Sequence, residues 1–95
     1  MDTEKYIPVH EITRIVPRGY GHFNEKYFRE VFETFCASHG IKRPKLKIMF
    51  LSPLRGSWSY SFKVKCSYEV CDSLKDVLNK ALEDMDMSFF VYPEN

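Results

Sequence analysis

The sequence has no catalytic or metal-binding signature, no paired CxxC cysteines and no long hydrophobic run. Its three cysteines, Cys36, Cys66 and Cys71, and its three histidines show no zinc-ligand spacing, so neither a metal site nor a disulfide framework is predicted. No apolar segment approaches the roughly 20 residues that a membrane-spanning helix needs, and the first residues lack the layout of a secretory signal. We therefore expect a cytoplasmic protein (in the host cytoplasm if its source is a virus) with free thiols and without metal or cofactor.

The composition is typical of one folded domain. Of the 95 residues, 44% are hydrophobic and 16% are aromatic, which provides enough apolar surface for a core. Charged residues make up 28% and are spread along the chain, which argues against disorder. The sequence contains no internal repeat, linker or low-complexity segment, so we predict a single α+β domain over residues 1–95.

Two segments have the periodicity of amphipathic helices. The first covers residues 24–40, because Asn24 suits an N-cap, apolar residues recur every three or four positions, and Gly40 suits the left-handed residue that ends a helix. The second covers residues 72–85, where Ser73 begins a pattern that resembles a capping box.

Period-two alternation of apolar and polar residues predicts four strands. Lys45–Leu51 and Ser57–Tyr68 form a hairpin around a turn that contains proline and glycine, Ser88–Tyr92 is the last strand, and Glu11–Val16 is the first. The element order is then β-α-β-β-α-β. This order predicts a ferredoxin-like α+β sandwich, with two helices covering one face of a four-stranded antiparallel sheet.

The charges are unevenly distributed along the chain. Residues 42–68 include no acidic residue, and they hold half of the fourteen basic ones. The rest of the chain therefore balances seven basic against thirteen acidic residues, so the molecule is predicted to be electrically two-sided although its net charge is only +1. The seven basic residues form the predicted partner-binding set: Lys42, Arg43, Lys45, Lys47, Arg55, Lys63 and Lys65.

Alternation places most of this set on one face of the hairpin. If the apolar residues of the two strands face the helices, four lysines emerge together on the opposite face and Arg55 lies at the hairpin tip. Two interpretations remain open. The face is a surface for an anionic partner, or it is a solvated lysine-rich surface that discourages edge pairing and aggregation.

The second hairpin strand begins with a basic-Gly pair, as does a strand of the RNA-recognition motif whose exposed aromatic residues stack on bases. The comparison fails at the third and fifth positions, which are Ser57 and Ser59 rather than aromatic residues. The aromatic residues Trp58, Tyr60 and Phe62 fall on the alternate positions, which are assigned to the core.

Two further features lie close to the predicted helix starts. Arg18, Gly19 and Gly21 precede the first helix, where free amides and the helix dipole favour an anion, so they form a candidate anion-binding loop. Cys71 precedes the second helix, and a helix N-terminus lowers the pKa of a thiol. A plain connecting loop and a small structural cysteine are the simpler interpretations of these two features.

Three functional hypotheses follow. The first is a non-catalytic binding or regulatory protein, of the adaptor or inhibitor type and with the profile of a small viral accessory protein, whose basic hairpin face engages an acidic protein surface or a second subunit. The second is RNA or single-stranded DNA binding through the same lysines. The third, phosphate-binding catalysis through the Arg18 loop, has the least support, so we do not expect an enzyme.

Overall fold

The computed structural model describes residues 5–7, 11–52 and 56–93, with side chains described for residues 12–51 and 56–91. Its elements, in chain order, are β1 (Lys5–Ile7), β2 (Glu11–Pro17), α1 (Glu25–Ser38), β3 (Lys45–Ser52), β4 (Ser57–Cys66), α2 (Tyr68–Asp84) and β5 (Met87–Pro93).

All strand pairs are antiparallel, and β4 lies at the centre of the sheet. One side of β4 pairs with β3 along the hairpin. Its other side pairs with β2 near Trp58 and with the short strand β1 near Val64, and β2 in turn pairs with β5. Across the main sheet the order is β3-β4-β2-β5, with the helices packed on one face. The predicted ferredoxin-like α+β plan is confirmed, and β1 is an addition that the sequence analysis did not predict.

Helix α1 forms as predicted. The Asn24 side chain accepts a hydrogen bond of 3.0 Å from the Tyr27 amide, which caps the first turn. At the other end, Gly40 has a φ of 65°, and the Ile41 amide donates to the Cys36 carbonyl at 2.9 Å. Between these ends, the buried residues of the helix repeat every four positions and face the sheet: Phe28, Phe32 and Cys36.

Helix α2 begins one turn earlier than predicted, and the capping box at Ser73 is wrong. Strand β4 ends at Cys66, and Ser67 adopts an extended conformation whose side chain accepts from the Val70 amide at 3.3 Å. Ser67 is therefore the N-cap, and the early start brings Cys71 into the helix with Leu74 and Leu78 on its buried side.

The predicted alternation of the β4 side chains is confirmed by their contacts with α1 and the segment before it. Three pairs of aromatic rings join the two layers, with centroid distances of 5.0 Å for Phe23–Trp58, 5.0 Å for Phe28–Tyr60 and 6.1 Å for Phe32–Phe62. Burial decreases toward the β3 edge. Phe50 packs on Trp58 at 4.7 Å but keeps 50% of its surface exposed.

Candidate functional site

The face of the sheet opposite the helices is the candidate site, and strand register determines which side chains it presents. Lys45 pairs with Lys63 and Lys47 with Ser61 across the β3–β4 hairpin, while Lys65 lies one alternation beyond Lys63. These four lysines are exposed. Together they form the basic face, and the structure brings them to one end of the outer surface of the sheet.

The other members of the predicted partner-binding set lie around this end or outside the described residues. Lys42 and Arg43 are exposed in the loop that leads into β3, and Arg43 has a φ of 53°. They are therefore close along the chain to Lys45, at the lysine end of the hairpin. Arg55, at the predicted hairpin tip, lies outside the described residues.

Arg14 is a basic residue of this face that the sequence analysis missed. It is exposed on β2 and pairs with Ser59 of β4 on one side and with Phe90 of β5 on the other. Paired residues of neighbouring strands project from the same face of a sheet, so Arg14 shares the outer surface with the four lysines. The period-two alternation of the first predicted strand would have placed Arg14 on this face. In the structure its neighbours Thr13 and Ile15 are buried, and Arg14 is exposed.

A row of serines lies between the larger side chains of β2 and β3. Ser57 and Ser59 are only 8% and 7% exposed, although they alternate with Trp58 and therefore lie on the side away from the helices. Ser59 is flanked by Arg14 on β2 and Met49 on β3. Ser57, Ser59 and Ser61 are the short side chains of β4 on this face, and we call them the serine floor.

Apolar side chains are exposed on the outer surface beside the serine floor. Ile12, Met49 and Phe90 retain 37%, 46% and 51% of their surface. Phe90 faces Arg14 across the β2–β5 pair, and Met49 faces Ser59 across the β3–β4 pair. The lysines lie at one end of the outer surface. Across its centre, from β3 to β5, the side chains are the apolar Met49, the small Ser59, the basic Arg14 and the apolar Phe90. Mixed patches of this kind differ from a uniformly charged, solvated surface.

The acidic residues of the helices lie in the other layer of the molecule. Exposed carboxylates line the outside of α2, and α1 adds three more. The carboxylates of α2 are Glu69, Asp72, Asp76, Glu83 and Asp84. The two layers thus carry opposite charge, and an acidic surface approaching the sheet would meet Arg14 and the lysines without passing the helical carboxylates.

The predicted anion-binding loop packs against the turn between α2 and β5. The Arg18 amide donates to the Asp86 carbonyl at 3.0 Å, and its guanidinium Nε lies 3.3 Å from Asp86 Oδ1. Gly21 lies so close to the Asp86 carbonyl that a Cβ would overlap that oxygen. Packing against Asp86 thus explains why an arginine and a glycine occupy positions 18 and 21. The Asp86 carboxylate would also repel an anion beside Arg18.

The three cysteines are buried. Burial, with smaller contributions from the nearby Cys66 and Glu33, raises the pKa of the Cys36 thiol to about 11. A thiol that stays protonated is a poor nucleophile. Cys71 is 2% exposed in the first turn of α2, so its side chain is enclosed by the core. Within the described part of the chain, no cluster of three or more His, Cys, Asp or Glu residues is placed to hold a metal ion.

Comparisons with known proteins leave the function open. No family model matches the chain, and no curated protein matches it. A solved structure of a DUF3240 family protein from Shewanella baltica OS155 is similar, with a TM-score of 0.44 and 9% sequence identity, over 98% of this chain and 91% of that chain. Among the described residues, neither helix is long and apolar enough to cross a membrane.

Proposed function

We propose that this protein is a non-catalytic binding protein of the adaptor or inhibitor type, and that the outer surface of its sheet engages an acidic surface of a partner protein. The observation that carries the proposal is the convergence of Lys45, Lys47, Lys63 and Lys65 with Arg14 beside exposed apolar side chains. Complementary charge steers association and selects the partner, while buried apolar and arginine side chains supply affinity.

The side chains of the two central strands favour a protein partner over a nucleic acid. Single-stranded RNA and DNA bind sheet surfaces through aromatic side chains on which bases stack. On the outer surface, β2 presents Ile12, Arg14 and Val16, and β4 presents the serine floor. The exposed aromatic side chain Phe90 lies on the edge strand β5 and not on the two central strands. A nucleic acid on this surface would therefore bind through contacts between its phosphates and the lysines, without bases stacked on the central strands.

Two observations on reactive groups support a non-catalytic role. The Arg18 guanidinium lies beside the Asp86 carboxylate, which opposes the phosphate-binding hypothesis. The raised pKa of Cys36 opposes its use as a nucleophile at neutral pH.

The proposal is tested with two double variants that change the net charge equally. Lys45→Glu with Lys47→Glu reverses charge on the basic face, while Lys26→Glu with Lys80→Glu reverses charge on the helices. Each variant and the wild type would be used for affinity capture from the native cell, followed by titration of the captured protein. We expect the basic-face variant to bind about a hundredfold more weakly, because reversed charges meet an acidic surface, and the helical variant to bind as the wild type does.

Equal binding by both variants would refute the basic-face proposal. Fluorescence anisotropy with labelled mixed-sequence RNA and single-stranded DNA, repeated across a salt series, tests the alternative. Tight binding that weakens steeply with salt and is lost in the basic-face variant would assign the surface to nucleic acid. Unchanged anisotropy at low salt would exclude that alternative.

A further inference from the structure

Strand β5 forms one edge of the sheet within the described part of the chain, since β2 is the strand with which it pairs. Successive backbone groups of a strand point alternately to its two sides. The side of β5 away from β2 therefore presents N–H and C=O groups to whatever lies beyond the sheet. Such an edge is a template for one kind of occupant, which is another strand.

The two edges of the sheet differ in how they are protected. Edge strand β3 carries Lys45 and Lys47, and its register is interrupted between Phe50 and Ser52. Charged side chains and bulges of this kind discourage pairing with a further strand. Strand β5 has neither device, because its seven residues include no charged side chain and pair with β2 at seven consecutive positions, and its one proline, Pro93, is the last residue of the strand.

Two neighbouring side chains of β5 remain half exposed, one on each side of the sheet. Phe90 is 51% exposed on the outer surface, and Val91, which alternates with it, is 51% exposed on the side of the helices. Strand pairing along this edge would cover apolar surface on both faces at once.

We propose that β5 pairs antiparallel with β5 of a second copy of this chain about a two-fold axis, which joins the two sheets into one. An uncharged strand meets its own copy without placing like charges opposite one another. With the axis at Phe90, Phe90 meets its own copy on the outer face and Phe89 meets Val91 on the side of the helices, so the centre of the edge is apolar and self-complementary, as a two-fold interface requires.

The dimer extends beyond the proposed function and does not depend on it. Because β3 and β5 are opposite edges, a β5–β5 dimer leaves both basic hairpins at its outer ends on one continuous surface. A partner with two acidic sites would then bind with the added strength of bivalent attachment.

Sedimentation analysis over a concentration series tests the dimer. We expect the wild type to approach twice its 11.3 kDa chain mass. Val91→Lys places a charge on the β5 edge and is expected to remain monomeric at concentrations at which the wild type is dimeric. The control is Met49→Lys on the opposite edge strand, which replaces a side chain of similar exposure, 46%, and should leave the dimer intact.

Amide hydrogen exchange of the wild type tests the same dimer without any substitution, so the result does not depend on whether a variant folds. In the β5–β5 dimer the amides on both sides of the strand are protected, whereas in the monomer every second amide of residues 87–92 exchanges with solvent. Dilution should therefore expose alternate amides. A wild type that stays monomeric would overturn the proposal. So would a dimer that Met49→Lys disrupts and Val91→Lys does not, or one whose alternate β5 amides still exchange.

Discussion

At the scale of single residues, the buried thiols have a structural role. Cys36 completes the buried side of α1, and Cys66 and Cys71 lie on either side of the junction between β4 and α2. All three side chains belong to the hydrophobic core. A buried neutral thiol behaves as a small apolar side chain, so the packing that these residues take part in also lowers their reactivity.

The raised pKa of Cys36 predicts a loss of stability in alkaline solution. The unfolded thiol ionises above pH 9.0, whereas the folded thiol stays protonated to about 11. The contribution of this group is therefore fully present below pH 9.0 and is lost as the pH rises toward 11. Urea unfolding on each side of pH 9.0 measures it, with Cys36→Ala as the reference for all other titrating groups. The same decrease in both proteins would contradict the assignment to Cys36.

At the scale of elements, the junction between β4 and α2 shows how a local signal is overridden. The alternation of β4 continues in sequence to Tyr68, but the strand ends at Cys66 and Tyr68 is 60% exposed. Beginning the helix at Tyr68, directly after the N-cap Ser67, adds Cys71 to the buried stripe that Leu74 and Leu78 continue. Burying this additional side chain against the sheet favours the earlier start.

Two serine substitutions distinguish the observed cap from the predicted one. Ser67→Ala removes the acceptor of the Val70 amide and is expected to lower the free energy of unfolding by about 1 kcal/mol. Ser73→Ala changes an exposed position inside α2, where alanine is the better helix former, and should leave stability unchanged or slightly raised. Chemical denaturation of both variants measures the difference. A larger decrease in the free energy of unfolding for Ser73→Ala than for Ser67→Ala would show that Ser73 is the N-cap and that the helix begins later.

At the scale of the whole molecule, the concentration of positive charge on the sheet lowers stability where two lysines face each other. Lys45 and Lys63 are directly opposite on β3 and β4, and like charges in that arrangement repel. The two lysines also concentrate positive charge at this end of the sheet, which is the charge that the proposed acidic partner would meet.

Lys45→Glu is accordingly expected to affect folding and binding in opposite directions. The substitution places a carboxylate opposite Lys63 and turns a repulsive pair into an attractive one, so we expect the free energy of unfolding to rise by about 0.5–1 kcal/mol. Affinity for an acidic partner should fall. Thermal denaturation and titration with that partner measure the two effects. Lys80→Glu, which exchanges an attractive i,i+4 contact with Asp84 for a repulsive one, should lower stability slightly and leave binding unchanged.

The sequence by itself determined both helices, four of the five described strands and the side of the sheet to which most hairpin side chains point. The reason is that capping and alternation are local: Asn24 and Gly40 bound α1, and strict alternation directs the lysines of β3 and β4 away from the helices. Only the tertiary structure decided which residues of distant strands and loops became neighbours. The pairing of β2 with β4 brought Arg14 to the serine floor, and the final position of β5 left an uncharged edge. Arg18 and Asp86, which are 68 positions apart, met because a loop and a turn pack together. Contacts of this range depend on the packing of the whole sheet and leave no periodic signal in the chain.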